Sequence, residues 1–164
     1  TLAGLAAGAR EGLRVVDLTH ALSGPFCTML LADLGADVLK VEPLHGDGTR
    51  RMGPFARGDE TKLFGGYFHS VNRNKRSLAL DLTREDGRAV LLRLLENADV
   101  LVENYREGVM DRFGLSFEAL HARVARVHLG GEDRHQALVP GTVADISARF
   151  AIRSRAGRKF QTQE

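Results

Sequence analysis

Cysteine and long apolar runs are what this chain has least of, and each absence closes off a class of protein. A single cysteine, Cys27, among 164 residues excludes an internal disulfide framework and a cysteine-based zinc site. No apolar stretch approaches the roughly 20 residues that a membrane-spanning helix requires, which points away from a membrane partner. Residues 1–9 are small and mildly apolar, without the basic start and longer apolar middle of a secretory signal. Excess charge is missing too. Against 23 Lys and Arg stand 21 Asp and Glu, a net +2 too small to call for nucleic acid or an anionic membrane. Together these absences predict a reducing, cytoplasmic setting.

What is present is the composition of an ordinary globular domain, 43% hydrophobic and 6% aromatic, long enough to bury most of its apolar surface. The reading divides the chain into an N-terminal extension (1–12), an α/β domain (13–129) and a divergent basic tail (130–164). Residues 13–18 form a short β-branched run suited to a buried strand. Gly24-Pro25 marks a helix start, since proline is tolerated in the first turn. Cys27, Leu30, Leu31 and Leu34 follow at helical spacing, and Gly35 is placed to end that helix in a left-handed cap. A second strand at 38–41 completes a βαβ unit, which implies parallel pairing.

From 43 to 66 the pattern breaks into a glycine-rich stretch of mixed charge, a long loop of the kind that is usually functional. Residues 77–82 predict a third strand. Thr83 is positioned to cap a helix over 84–97, with Asp86 as a capping-box partner and Val90, Leu91, Leu94, Leu95 and Ala98 as its buried face. A fourth strand at 99–103, two short helices at 108–113 and 116–123, and a weak fifth strand at 126–129 follow. Strands alternating with helices imply an α/β, Rossmann-like fold: a mainly parallel sheet with flanking helices. Its ligands belong outside the carboxyl ends of the strands, at 19–23, 42–48 and 104–106.

A dinucleotide fingerprint is absent, because the first turn carries one glycine where G-x-G-x-x-G is required. By itself, His20 reads as a hydrogen-bonded loop histidine. The basic cluster at 72–77 reads either as a solvated charge run or as an electrostatic attractor for phosphates, through Lys75 and Arg76. Arg112 reads as a surface helix residue paired with Glu107 or Asp111. A hydrogen-bonding Asn104 beside the flat ring of Tyr105 at a strand end suits an adenine pocket.

Three stretches carry a resemblance: Asp17-Leu-Thr-His-Ala-Leu-Ser-Gly-Pro25 with Leu31 to Pro43, Asn72-Arg-Asn-Lys-Arg-Ser77, and Val102-Glu-Asn-Tyr-Arg-Glu-Gly-Val-Met-Asp-Arg-Phe-Gly114. Over 13–123 the chain resembles the N-terminal part of the class III coenzyme A transferases, the group that includes formyl-CoA transferase, carnitine CoA-transferase and α-methylacyl-CoA racemase. The resemblance covers less than half of a typical member, which forms an interlocked homodimer. It implies transfer of CoA between an acyl-CoA and a carboxylic acid, or racemisation on the same fold, with CoA as substrate and no tightly bound cofactor or metal. It assigns the main chain of His20, Ala21, Leu22 and Ser23 to the CoA pocket, Leu80 to the adenine, Asn104 and Tyr105 to the nucleotide end, and Arg112 to a phosphate.

The family's chemistry rests on an aspartate that attacks the acyl-CoA thioester and then itself carries CoA. No segment beyond Arg123 matches it, and Pro140-Gly141 followed by Asp145 is only a loose echo. The family pattern giving way near Val124 to an arginine-rich tail is what truncation or a shifted reading frame would leave, with loss of activity. The rival reading is a non-catalytic α/β module whose basic residues between 149 and 159 bind a partner or nucleic acid.

Overall fold

The computed structural model describes residues 12–123 and 128–130. Apart from Gly12 and Gly130, the extension and basic tail expected from sequence lie outside them. Five strands, β1 (Arg14–Asp17), β2 (Asp37–Glu42), β3 (Arg76–Ala79), β4 (Val100–Val102) and β5 (His128–Gly130), form one sheet in the order β3-β2-β1-β4-β5. Every pairing is parallel, with Val16 opposite Leu39 on one side and Leu101 on the other.

The helices α1 (Ser23–Asp33), α2 (Gly66–Asn72), α3 (Glu85–Leu95), α4 (Val109–Arg112) and α5 (Phe117–Arg123) connect them. Side chains alternate across a strand, so each central strand supplies two cores. Val15, Val38, Val100 and Val102 pack with Leu31, Ala32 and Ala36 around α1. Val16, Val41 and Leu101 pack with Leu91, Leu95, Leu115 and Leu120 beneath α3 and α5. Coverage on both faces is why β4 is apolar throughout and β1 carries the adjacent pair Val15 and Val16.

Gly35 ends α1 at φ +95°, where its amide and that of Ala36 bond Ala32 and Leu31 carbonyls, the left-handed cap expected from sequence. Thr83 does not cap α3. Its amide and hydroxyl both donate to Asp81 Oδ1, at 3.0 and 2.6 Å, and extended Arg84 occupies the cap position without capping the helix through its side chain. Asp86, the expected capping-box partner, instead accepts from the Gly87 amide at 2.9 Å and pairs with Arg84. An Asp–x–Thr turn on the preceding residues outcompetes the capping box.

The stretch read as a loop contains a single 3-10 turn, Gly48–Arg51, and α2 follows it. That helix opens on glycine and has weak intrinsic propensity, so burial of Phe68 and Val71 carries it.

The turn from β3 into α3 closes tightly: a β-carbon on Gly87 would lie 2.0 Å from the Asp81 carbonyl oxygen. Gly87→Ala should therefore push α3 off the Asp81–Thr83 turn and destabilise the domain, although alanine is the better helix former. Urea titration checks this, and an unchanged or raised midpoint would contradict it.

Candidate functional site at the carboxyl ends of the strands

β1 ends on Asp17, which has no exposure to water. Its Oδ1 accepts from the Thr19 amide at 2.8 Å and the Thr19 hydroxyl at 2.5 Å. Its Oδ2 accepts from the Thr28 hydroxyl on α1 at 2.6 Å and from Lys75 Nζ at 2.9 Å. Lys75 donates further to the Pro25 carbonyl and to Asn72 Oδ1, both at 2.8 Å, which uses all the donors of its ammonium. Burial lowers the Lys75 pKa, against the opposing pull of Asp17.

On the neighbouring strand Lys40, aligned with Asp17 and 1% exposed, donates to the Thr19 carbonyl at 2.7 Å. It also stands 3.0 Å from Asp47 Oδ2. Burial pushes the Asp47 carboxyl up, but the Thr49 amide and Lys40 outweigh it and hold the acid below its ordinary value. Glu42, at the end of β2, is paired twice with Arg50, at 2.7 Å each, and accepts from Ser77 and the Asp47 amide. These partners likewise bring its pKa down despite burial. Arg50 lies 3.8 Å over the Phe68 ring, so the long segment after β2 is fastened to α2 as well.

Between β1 and β4 the sheet order reverses direction, which opens a crevice outside the carboxyl ends of those two strands. The chain leaving β1 and the chain leaving β4 meet there. The His20 amide donates to Asn104 Oδ1 and Asn104 Nδ2 donates back to the His20 carbonyl, both at 2.8 Å. The Tyr105 ring meets the His20 ring edge-on at 4.5 Å and Phe113 at 6.3 Å. Burial, with Glu103 adding to it, raises the Tyr105 phenol to about 12, and burial lowers the His20 imidazole.

Ala21 sits in the left-handed region at φ +65°, and Ala21, Leu22 and Ser23 are exposed along the crevice. Gly24 makes the corner possible, because a β-carbon there would be 2.5 Å from the Thr19 side chain.

The structure thus brings together His20, Ala21, Asn104 and Tyr105, which lie 84 residues apart in sequence at the contact between His20 and Asn104. Leu80 follows β3 at the carboxyl side, its amide bonded to the Glu42 carbonyl and its side chain packed against the core beneath α3. Arg112 is exposed on α4 and has no ion pair among the described residues, so neither Glu107 nor Asp111 holds it.

The basic cluster divides. Lys75 is the buried partner of Asp17, whereas Arg76 turns back along β2 to a bidentate pair with Asp37, the first residue of that strand. Neither ammonium nor guanidinium is directed at the crevice in this structure. Asp17, Lys40, Glu42 and Asp47 went unnoticed in the sequence. The signal for them was a lysine and a glutamate inside an otherwise apolar buried strand, which demands partners nearby.

A parallel α/β sheet whose order reverses between β1 and β4 defines the class: the open α/β folds in which ligands lie outside the carboxyl ends of the strands. Residues 11–127 match the model of CoA-transferase family III, and the chain belongs to that family. It is 53% identical over 113 residues to succinyl-CoA:mesaconate CoA-transferase of Haloarcula hispanica and 51% identical over 114 residues to acetyl-CoA:oxalate CoA-transferase of Acetobacter aceti. In both cases the match takes in 69% of this chain and 28% of the relative, so the chain spans little more than a quarter of their length. Among solved structures, a CAIB/BAIF family protein from Brucella suis superposes with a TM-score of 0.69 at 42% identity, over 74% of this chain and 32% of that one. No helix among the described residues is long and apolar enough to cross a membrane.

The two halves of the basic cluster should respond differently to mutation. Lys75→Met strands a buried carboxylate and should cost roughly 3–5 kcal/mol, whereas Arg76→Ala, at an exposed pair, should leave the urea midpoint nearly unchanged. Equal effects would contradict the assignment.

Acid should also loosen the long loop. Asp47 and Glu42 have folded-state pKa values below their unfolded ones, so their stabilising contribution is complete above the unfolded values and is lost as pH falls through the folded ones. Urea midpoints measured from pH 7 to pH 3 should fall, and the fall should be smaller in Asp47→Asn.

Proposed function

We propose that this domain holds coenzyme A for transfer between an acyl-CoA and a carboxylic acid. The observation that carries the reading is the exposed run Ala21, Leu22 and Ser23, presented at the carboxyl ends of a parallel sheet in a chain of this family. In this reading Ala21, Leu22 and Ser23 offer backbone groups to the amide-rich pantetheine arm, and His20, whose amide and carbonyl are held by Asn104, sets their position. Tyr105 and Leu80 border the adenine, and Asn104 edges the same crevice. Arg112 takes a phosphate, a role for which it is better placed than Lys75 or Arg76, whose charges are already paired.

Transfer is favoured over racemisation because the relatives named above are CoA-transferases. They act with different acids, so the proposal extends to carboxylic acids as a class and to CoA thioesters as the donor. The domain's part is to bind and orient the thioester, and a carboxylate nucleophile of the kind implied by the resemblance is not assigned to any residue here. No tightly bound cofactor is needed for this chemistry. A homodimer is the assembly that the resemblance implies for the whole fold.

Calorimetry with CoA and acetyl-CoA tests the reading. Both should bind the folded chain, more weakly as salt rises, because screening reduces the attraction of phosphate to Arg112. Arg112→Ala should weaken binding about tenfold or more, the worth of one charge-assisted hydrogen bond. A folded chain that takes up neither ligand would overturn the proposal.

A further inference from the structure

Asn104 joins the two loops of the crevice by hydrogen bonds, and its amide is turned toward the protein. Both bonds to His20 are 2.8 Å long, one in each direction, so the orientation of the amide is fixed: its oxygen must face the His20 N–H and its nitrogen the His20 carbonyl. The residue it grips precedes Ala21, a non-glycine residue at φ +65°. Such a conformation persists only where the surroundings over-determine it.

The surroundings here do so from three sides. Asp17 holds the Thr19 amide and hydroxyl, Lys40 holds the Thr19 carbonyl, and Asn104 holds both polar groups of the His20 backbone. Beyond that grip, Ala21 and Leu22 donate no backbone hydrogen bond among the described residues, and both are exposed. Residues 19 and 20 are thus pinned so that 21 and 22 can face outward.

We propose that Asn104 is a positioning residue: it acts on bound CoA through the His20–Ala21 backbone, selecting the pantetheine arm, rather than by touching the nucleotide itself. If its amide turned to a ligand, the half-buried His20 N–H would lose its acceptor, a loss that binding would have to offset. The Tyr105 ring, edge-on to His20, then closes the same corner by packing. This inference rests on the CoA reading and assigns the site's binding energy between its two loops.

The test divides the ligand. Binding of CoA, pantetheine and adenosine 3′,5′-bisphosphate is compared for the wild-type chain, Asn104→Ala, Asn104→Asp and Arg112→Ala, with amide hydrogen exchange at His20 read alongside. Asn104→Ala should weaken CoA and pantetheine about tenfold, the scale expected for two lost hydrogen bonds that order a loop, and leave the bisphosphate unchanged. Exchange at the His20 amide should accelerate in Asn104→Ala, whereas Asn104→Asp, which keeps the acceptor, should retain protection. Arg112→Ala should show the opposite ligand pattern, losing the bisphosphate and sparing pantetheine.

Loss of bisphosphate binding in Asn104→Ala, or His20 exchange that does not respond, would overturn the positioning role while leaving the CoA reading intact. A wild-type chain that binds none of the three probes would overturn the CoA reading and this inference together.

Discussion

A carboxylate sealed from water at the end of the first strand is the constraint on which the rest of the structure depends. Asp17 is fully buried, and an ionised carboxylate in that position is costly unless its oxygens are fully engaged. Its partners come from four separate places: the turn that follows it, the middle of α1, and, through Lys75, the end of α2 and the entry to β3. Satisfying one acid therefore fixes where the first helix docks, how the chain leaves β1, and how the edge strand approaches. The same residue that terminates the apolar run of β1 organises everything above it.

The second strand repeats the device twice, once with the signs exchanged. Lys40 and Glu42 both lie inside the sheet region, and each recruits a partner from the irregular segment that follows, Asp47 for one and Arg50 for the other. A long stretch with only one 3-10 turn is normally free to move. Here one buried and one partly buried ion pair, with the stacking of Arg50 on Phe68, tie it to β2 and α2. Charge that the apolar pattern of the strand does not call for thus becomes the fastening of the loop.

Above these two hubs lies the crevice at the point where strand order reverses. Scaffold and site are not separate layers: Lys40 grips Thr19, Thr19 precedes His20, and His20 is clasped by Asn104 from the far strand. The exposed residues beyond His20 inherit their position from the buried charges of Asp17 and Lys40, which hold Thr19. The match to CoA-transferase family III, over residues 11–127, takes in β1 to β4 and both loops of the crevice.

The sequence by itself determined the parallel α/β architecture. A strand buried on both faces carries adjacent apolar residues, as Val15 and Val16 and residues 100–102 do, and a helix covering it carries an apolar stripe, as in 90–98. It also determined the end of α1, since only glycine adopts φ +95° at Gly35 without strain. Tertiary structure alone decided which charges face inward. Lys75 and Arg76 are adjacent in a basic cluster, yet one is bound to a buried acid 58 residues away and the other to an exposed acid at the start of β2. It decided likewise that α2 forms despite weak propensity, that Thr83 serves Asp81 and not the helix, and that Asn104 holds His20. Periodicity reports burial of apolar side chains because that is a local rule, whereas a polar group's partner is chosen by desolvation and geometry across the assembled sheet.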